Sequence, residues 1–245
     1  MLLLHGLGGS RISWEPQLTG LSDEFRVAAW DMPGYGHSAP LSGATTFASL
    51  AGAVERWADA LAVERFHLVG LSMGGMIAQY VAASLPARVE SLTLLSTSPK
   101  FGLDGTTPEA WRAARLAPLD AGQTPADFAS TVLRSIAGPH ISDRALAGQV
   151  AAMGRITSDG LRRSIDCLIT HDSRSILPLI EASTVIGVGA LDSETPVAYG
   201  QALVDGIPRA RLQVIDGAGH LLNVEAPEAV NALIRAHANS RSLRS

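Results

Sequence analysis

Gly70-Leu71-Ser72-Met73-Gly74 decides how this chain is read. A short apolar run, Phe66-His67-Leu68-Val69, precedes it and predicts a buried strand; Gly75-Met76-Ile77-Ala78-Gln79-Tyr80-Val81-Ala82-Ala83 follows and predicts a helix. Strand, G-x-S-x-G, helix is the pattern of a nucleophile elbow. A serine at so sharp a turn is forced into a strained backbone conformation, and the residues two positions to either side crowd each other. Glycine at 70 and 74 relieves that crowding. In return Oγ stands clear of the sheet, and the positive end of the next helix faces the site.

Working outward, Leu2-Leu3-Leu4-His5 predicts a strand broken by Gly6-Leu7-Gly8-Gly9-Ser10, with a short helix from Trp14 to Leu21. Phe25 to Trp30 predicts a second strand, and Asp31 to Ser38 a Gly/Pro-rich loop. Phe47, Leu50, Ala51, Val54, Trp57, Ala58 and Leu61 recur at helical spacing. After the Ser72 unit, Val89 to Ser96 predicts a strand. From 99 to 182 the alternation stops, and helices are expected over Trp111–Leu116, Pro125–Ile136, Ser142–Met153 and Ser158–Thr170. Strands resume at Thr184–Gly189 and Arg211–Ile215. A last helix starts at Pro227 and runs to about Ala236, with Ser240 to Ser245 expected to fray. The expected fold class is therefore α/β, a mostly parallel sheet with helices on both faces. Residues 1–98 and 183–245 make the core, and 99–182 form a helical cap at the carboxyl ends of the strands, where ligands bind.

Composition narrows the function. At 245 residues, with 47% hydrophobic and 17% charged residues, the chain fits one large domain. A net charge of −4 argues against a nucleic-acid partner. No apolar run reaches the roughly 20 residues that span a membrane, and Met1-Leu2-Leu3-Leu4 is too short for a signal core. A cytoplasmic location is the default expectation. The single cysteine, Cys167, excludes an intramolecular disulfide and sits in an apolar helical pattern that suits packing. No metal-ligand spacing is present, so neither metal nor cofactor is expected.

A serine nucleophile needs a base and a group to orient that base. Asp192 follows the strand ending at Gly189, and His220 follows the next strand in Gly217-Ala218-Gly219-His220. His220 would act as base and then acid, with Asp192 fixing its tautomer. Asp216, beside the histidine loop, and Asp104, far beyond its strand, are the weaker candidates for the acid. Backbone N–H groups of Met73 and Leu7 would form an oxyanion hole, each donor worth on the order of 3 kcal/mol. His5 is expected to hold its loop.

These motifs together resemble the α/β-hydrolase fold family: His5-Gly6, the D-x-P-G-x-G-x-S loop from Asp31 to Ser38, Gly70 to Gly75, Gly189 to Asp192, and Gly217 to His220. The order Ser72, Asp192, His220 is that family's order. Gly70 to Gly75, the cap after Ser96-Thr97-Ser98, and His220 to Pro227 are most similar to 3-oxoadipate enol-lactonases and neighbouring small-ester hydrolases. Family members usually carry about two further strands before the H-G motif; their apparent lack here suggests a truncated start.

The resemblance implies a cofactor-independent serine hydrolase whose partner is a small-molecule ester or lactone. Carbon–carbon bond hydrolysis or perhydrolysis on the same triad is the alternative, and a non-catalytic small-ligand binder a third. A substrate carboxylate would require a cation, and the cap offers Arg112, Arg115, Arg134, Arg155, Arg162 and Arg163. Trp111 is the candidate substrate-binding side chain, while His140 and His171 suit solvent-facing or packing roles. Oligomeric state is left open.

Overall fold

Alternation along the first strand sets up both layers of the protein. In β1 (Leu2–Leu4), Leu2 and Leu4 pack into one core, while Met1 and Leu3 join the core on the opposite face. This is a computed structural model, and it describes residues 1–242. A 3-10 turn, Arg11–Trp14, leads into α1 (Glu15–Gly20), followed by β2 (Ala28–Ala29) and α2 (Phe47–Ala60). Next come β3 (Phe66–Leu71), α3 (Met73–Ser84) and β4 (Val89–Leu95). Four helices follow without a strand: α4 (Pro108–Asp120), α5 (Pro125–Ile136), α6 (Asp143–Met153) and α7 (Ser158–Leu168). The chain closes with β5 (Ser183–Gly189), α8 (Val197–Gly206), β6 (Ala210–Ile215), α9 (Leu222–Glu225) and α10 (Pro227–Ser242).

The sheet has six strands in the order β2-β1-β3-β4-β5-β6, and every pairing is parallel. Leu68 pairs with Leu2 on one side and Leu92 on the other, so β3 lies inside the sheet and presents its carboxyl end, Ser72, near the middle. One face is covered by α2, α3 and α8, and the other by α1 and α10. Thr46 starts α2 as a reciprocal cap with Ser49, which satisfies two otherwise orphaned backbone donors.

Four sequence expectations are corrected. The second strand is only Ala28–Ala29, because it pairs with the three-residue β1 alone at the sheet margin. The helix expected at 111–116 extends over 108–120: Pro108 occupies its first turn behind the Thr107 cap, and the chain stays helical through Pro118. Helix α8 was not anticipated from the sequence. The last helix reaches Ser242, past the fraying expected from Ser240; residues 243–245 lie outside the described residues. No described helix is long and apolar enough to cross a membrane.

Candidate active site

Ser72 has φ 53° and ψ −121°, a left-handed conformation a serine adopts only when its surroundings impose it. Those surroundings are identifiable. A Cβ at Gly70 would run into the backbone of Gly74 and Gly75, and one at Gly74 would strike the carbonyls of Leu4 and His5. Any side chain at either position would push the turn open. A Cβ at Gly6 would stand 3.0 Å from the Ser72 Cβ, so the loop after β1 lies directly against the serine. The Ser72 carbonyl accepts hydrogen bonds from the Met76 amide at 3.0 Å and the Thr97 hydroxyl at 2.7 Å, which lock the turn.

Three loops at the carboxyl ends of β3, β5 and β6 bring together the side chains that sequence order grouped. His220 Nε2 lies 3.0 Å from Ser72 Oγ, and Nδ1 lies 3.0 and 3.1 Å from the two Asp192 oxygens. The Asp192 carboxylate also accepts from the backbone amides of Glu194 at 3.0 Å and Thr195 at 2.9 Å, and from the Thr195 hydroxyl at 2.9 Å. Burial alone would raise the Asp192 carboxyl; the His220 charge and these donors outweigh it and hold the group below its ordinary range. Burial alone would lower His220, but the Asp192 carboxylate raises it above its ordinary 6.5. Such a chain can lower the cost of removing the Oγ proton. Asp216 is exposed; Asp104 is exposed and accepts from the Thr106 amide at 2.9 Å.

The amides of Met73 and Leu7 have no protein acceptor among the described residues. Met73 opens α3, so its N–H belongs to the unsatisfied first turn. His5 is fully buried and bridges backbone: Nδ1–H donates to the Gly6 carbonyl at 2.8 Å, and Nε2 accepts from the Met32 amide at 3.0 Å. Both ring nitrogens are used and burial pushes its pKa down to about 4, so the ring stays neutral and structural.

A cavity of about 350 Å³ opens above Ser72 and His220. Trp111 lines it, half-buried, with the Phe101 ring 5.4 Å away and the Arg115 guanidinium 5.2 Å above its own ring. Of the arginines named above, only Arg115 reaches the cavity, where it pairs with Glu194 at 3.2 Å. Arg112, Arg162 and Arg163 pair with Asp166, Asp120 and Asp159, and Arg134 and Arg155 are exposed. His140 is exposed, whereas His171 is buried against Phe47 and Tyr80. Cys167 is buried, which pushes its thiol up to about 12 and keeps it protonated. Among the described residues no group of acidic, histidine or cysteine side chains is arranged to hold a metal ion.

Glu225 escaped the sequence reading. Its carboxylate accepts from Gly219 N at 2.7 Å and Leu221 N at 2.9 Å, the residues on either side of His220. It also accepts from Gly138 N at 2.9 Å, just beyond α5, while the His220 amide donates to the Ile136 carbonyl at 3.1 Å. One carboxylate thus ties the histidine loop to the 99–182 segment. Glu225→Gln keeps the size of the side chain but turns one acceptor into a donor facing a donor. We expect it to lower any Ser72-dependent kcat by about 10-fold, from a net loss of roughly 1.5 kcal/mol, and a p-nitrophenyl acetate assay checks this.

A model of the α/β hydrolase fold matches residues 1–227. The pimeloyl-(acyl-carrier protein) methyl ester esterase of Chromobacterium violaceum is 32% identical over 230 residues, covering 90% of this chain and 86% of that protein. The dihydrolipoyllysine-residue acetyltransferase component of the acetoin cleaving system of Cupriavidus necator is 29% identical over 248 residues, covering 97% of this chain; the chain spans only 63% of that relative's length. Among solved structures, the enol-lactonase from Burkholderia xenovorans LB400 superposes with a TM-score of 0.86 at 27% identity, covering 97% of this chain and 90% of that one. The match over nearly its whole length, on a sheet and elbow of this geometry, means that the chain belongs to the α/β-hydrolase fold family.

Proposed function

We propose that this protein is a serine hydrolase that cleaves small carboxylic esters or lactones. The observation that carries the reading is the continuous contact Ser72 Oγ–His220 Nε2, His220 Nδ1–Asp192 at the floor of a mostly apolar cavity. Ser72 attacks the carbonyl as His220 takes its proton. Asp192 holds the imidazole with its proton on Nδ1 and stabilises the imidazolium. The amides of Leu7 and Met73 receive the developing oxyanion. His220 then protonates the leaving alcohol, and the same histidine activates the water that releases the acid from the acyl-enzyme. Segment 99–182 serves as the cap over this site, with Trp111 in its substrate-facing wall. Similarity to an enol-lactonase and to a methyl ester esterase supports ester or lactone cleavage.

The test is turnover of a p-nitrophenyl ester series and a lactone panel by wild type and Ser72→Ala. We expect activity on short acyl chains or lactones that falls by at least about 10⁴-fold in the variant. Activity that survives the substitution would remove Ser72 from the mechanism. Turnover confined to carbon–carbon substrates or to perhydrolysis would keep the triad and change the bond.

A further inference from the structure

Helix α6 presents Leu146, Gln149, Ala152 and Met153 as its buried face. Three of these are apolar; the fourth is a carboxamide, 7% exposed. Gln149 lines the cavity above Ser72, and no described residue hydrogen-bonds its side chain. Its amide atoms are not sealed away from solvent but open on the cavity, so their hydrogen-bonding capacity is free to meet a group of a bound molecule. The wall around it is equally specific. Every other residue that α5 to α7 contribute to the cavity is apolar, among them Phe128, Leu133, Met153 and Ile165. The charged lining residues other than His220 all come from 98–115 and 193–199, where Arg115 is paired with Glu194.

From this we infer that Gln149 is a specificity-determining residue that hydrogen-bonds a second, uncharged polar group of the substrate, such as a hydroxyl or keto oxygen, remote from the scissile carbonyl. The inference rests on the hydrolase reading above and narrows its substrate class. Lys100 and the Glu194-paired Arg115 are the cavity's cations, and both come from outside α5 to α7. A hydroxyl or ketone beside Gln149 supplies the partner the carboxamide lacks and leaves no charge unpaired. A site built to hydrogen-bond such a group discriminates strongly against substrates without it.

Two ester pairs test the idea: methyl butyrate against methyl 3-hydroxybutyrate, and propyl butyrate against 2-hydroxyethyl butyrate, with wild type and Gln149→Leu. The first pair places the hydroxyl on the acyl side and the second on the alcohol side. We expect the wild type to favour the hydroxylated member of at least one pair, and Gln149→Leu to lower kcat/KM for that member by about 10-fold or more while sparing its partner. The urea midpoint of the variant should equal or exceed that of wild type; a purely structural glutamine would lower it. Should Gln149→Leu fail to fold, Gln149→Met carries the same comparison. Equal losses on both members, or no hydroxyl preference in the wild type, overturns the inference. A fluorophosphonate probe separates the two levels of the argument: absence of labelling at Ser72 in the wild type would overturn the hydrolase reading and this inference with it, whereas labelling without discrimination would overturn this inference alone.

Discussion

Asp192→Asn should lower kcat by about 10⁴-fold while the protein remains folded. The asparagine is nearly the same size and can keep the contacts with the Glu194 and Thr195 amides. What it removes is the charge that stabilises the imidazolium and the two-oxygen acceptor that fixes the His220 tautomer. The pH profile gives the sharper readout. In the wild type, His220 lies above its ordinary 6.5, so neutral base is lost, and kcat/KM falls, as pH drops through that elevated value. In the variant the opposing charge is gone and burial dominates, so the acid limb of the residual activity should move down. A limb that stays in place, or a loss of less than about 10-fold, would assign the orienting role to another acid.

Acidification from about pH 7 to about pH 4 should remove several kcal/mol of folding stability. His5 and His171 are 1% and 2% exposed, and burial pushes both down to about 4 from 6.5. The sign follows from linkage. The unfolded chain takes up these protons near 6.5 and the folded protein refuses them until about 4, so the stability is present above 6.5 and lost on the way down. A gap of about 2.5 units corresponds to about 3 kcal/mol for each ring, against a typical total of about 5–15 kcal/mol. His220 cannot cause this loss, because its raised value adds stability on the acid side. Asp192 acts only below its ordinary 3.8. Urea unfolding at several pH values measures the slope. His237, likewise buried and lowered, adds to the same slope. His171→Gln should therefore flatten it by about a third to a half, even though it costs stability at neutral pH; parallel curves for the two proteins would show that the acid sensitivity arises elsewhere.

The sheet was legible because its interior strands are mainly apolar. The three triad candidates were legible because each stands in a Gly-containing turn or loop just after a predicted strand, even though β6, before His220, is an exposed edge strand. Helix α8 was hidden by Gly200, which reads as a helix breaker. In the folded protein a Cβ there would meet Val188 Cγ2 at 2.8 Å and Leu212 Cδ1 at 2.9 Å, so the glycine lets the helix press onto β5 and β6. Glu225 and Gln149 were hidden for another reason. Glu225 takes its meaning from Gly138, 87 positions away, and Gln149 from a wall built by other helices. Local pattern carries no such information. Thr195 is intermediate: its closeness to Asp192 was visible, but its hydroxyl contact with the carboxylate required the folded loop.

The bonds from His220 to Ile136 and from Gly138 to Glu225 have a consequence for anyone who would retool this protein. Segment 99–182 holds α4 to α7 between β4 and β5, and a contiguous block of helices invites exchange with the corresponding block of a relative. Here the block is not a free module. Its 136–138 stretch is part of the scaffold that holds His220, so a graft would shift that side chain along with the cavity wall. On the serine-hydrolase reading proposed above, transplants that keep this stretch and its glutamate partner should change selectivity alone, whereas those that cross it should change rate and selectivity together.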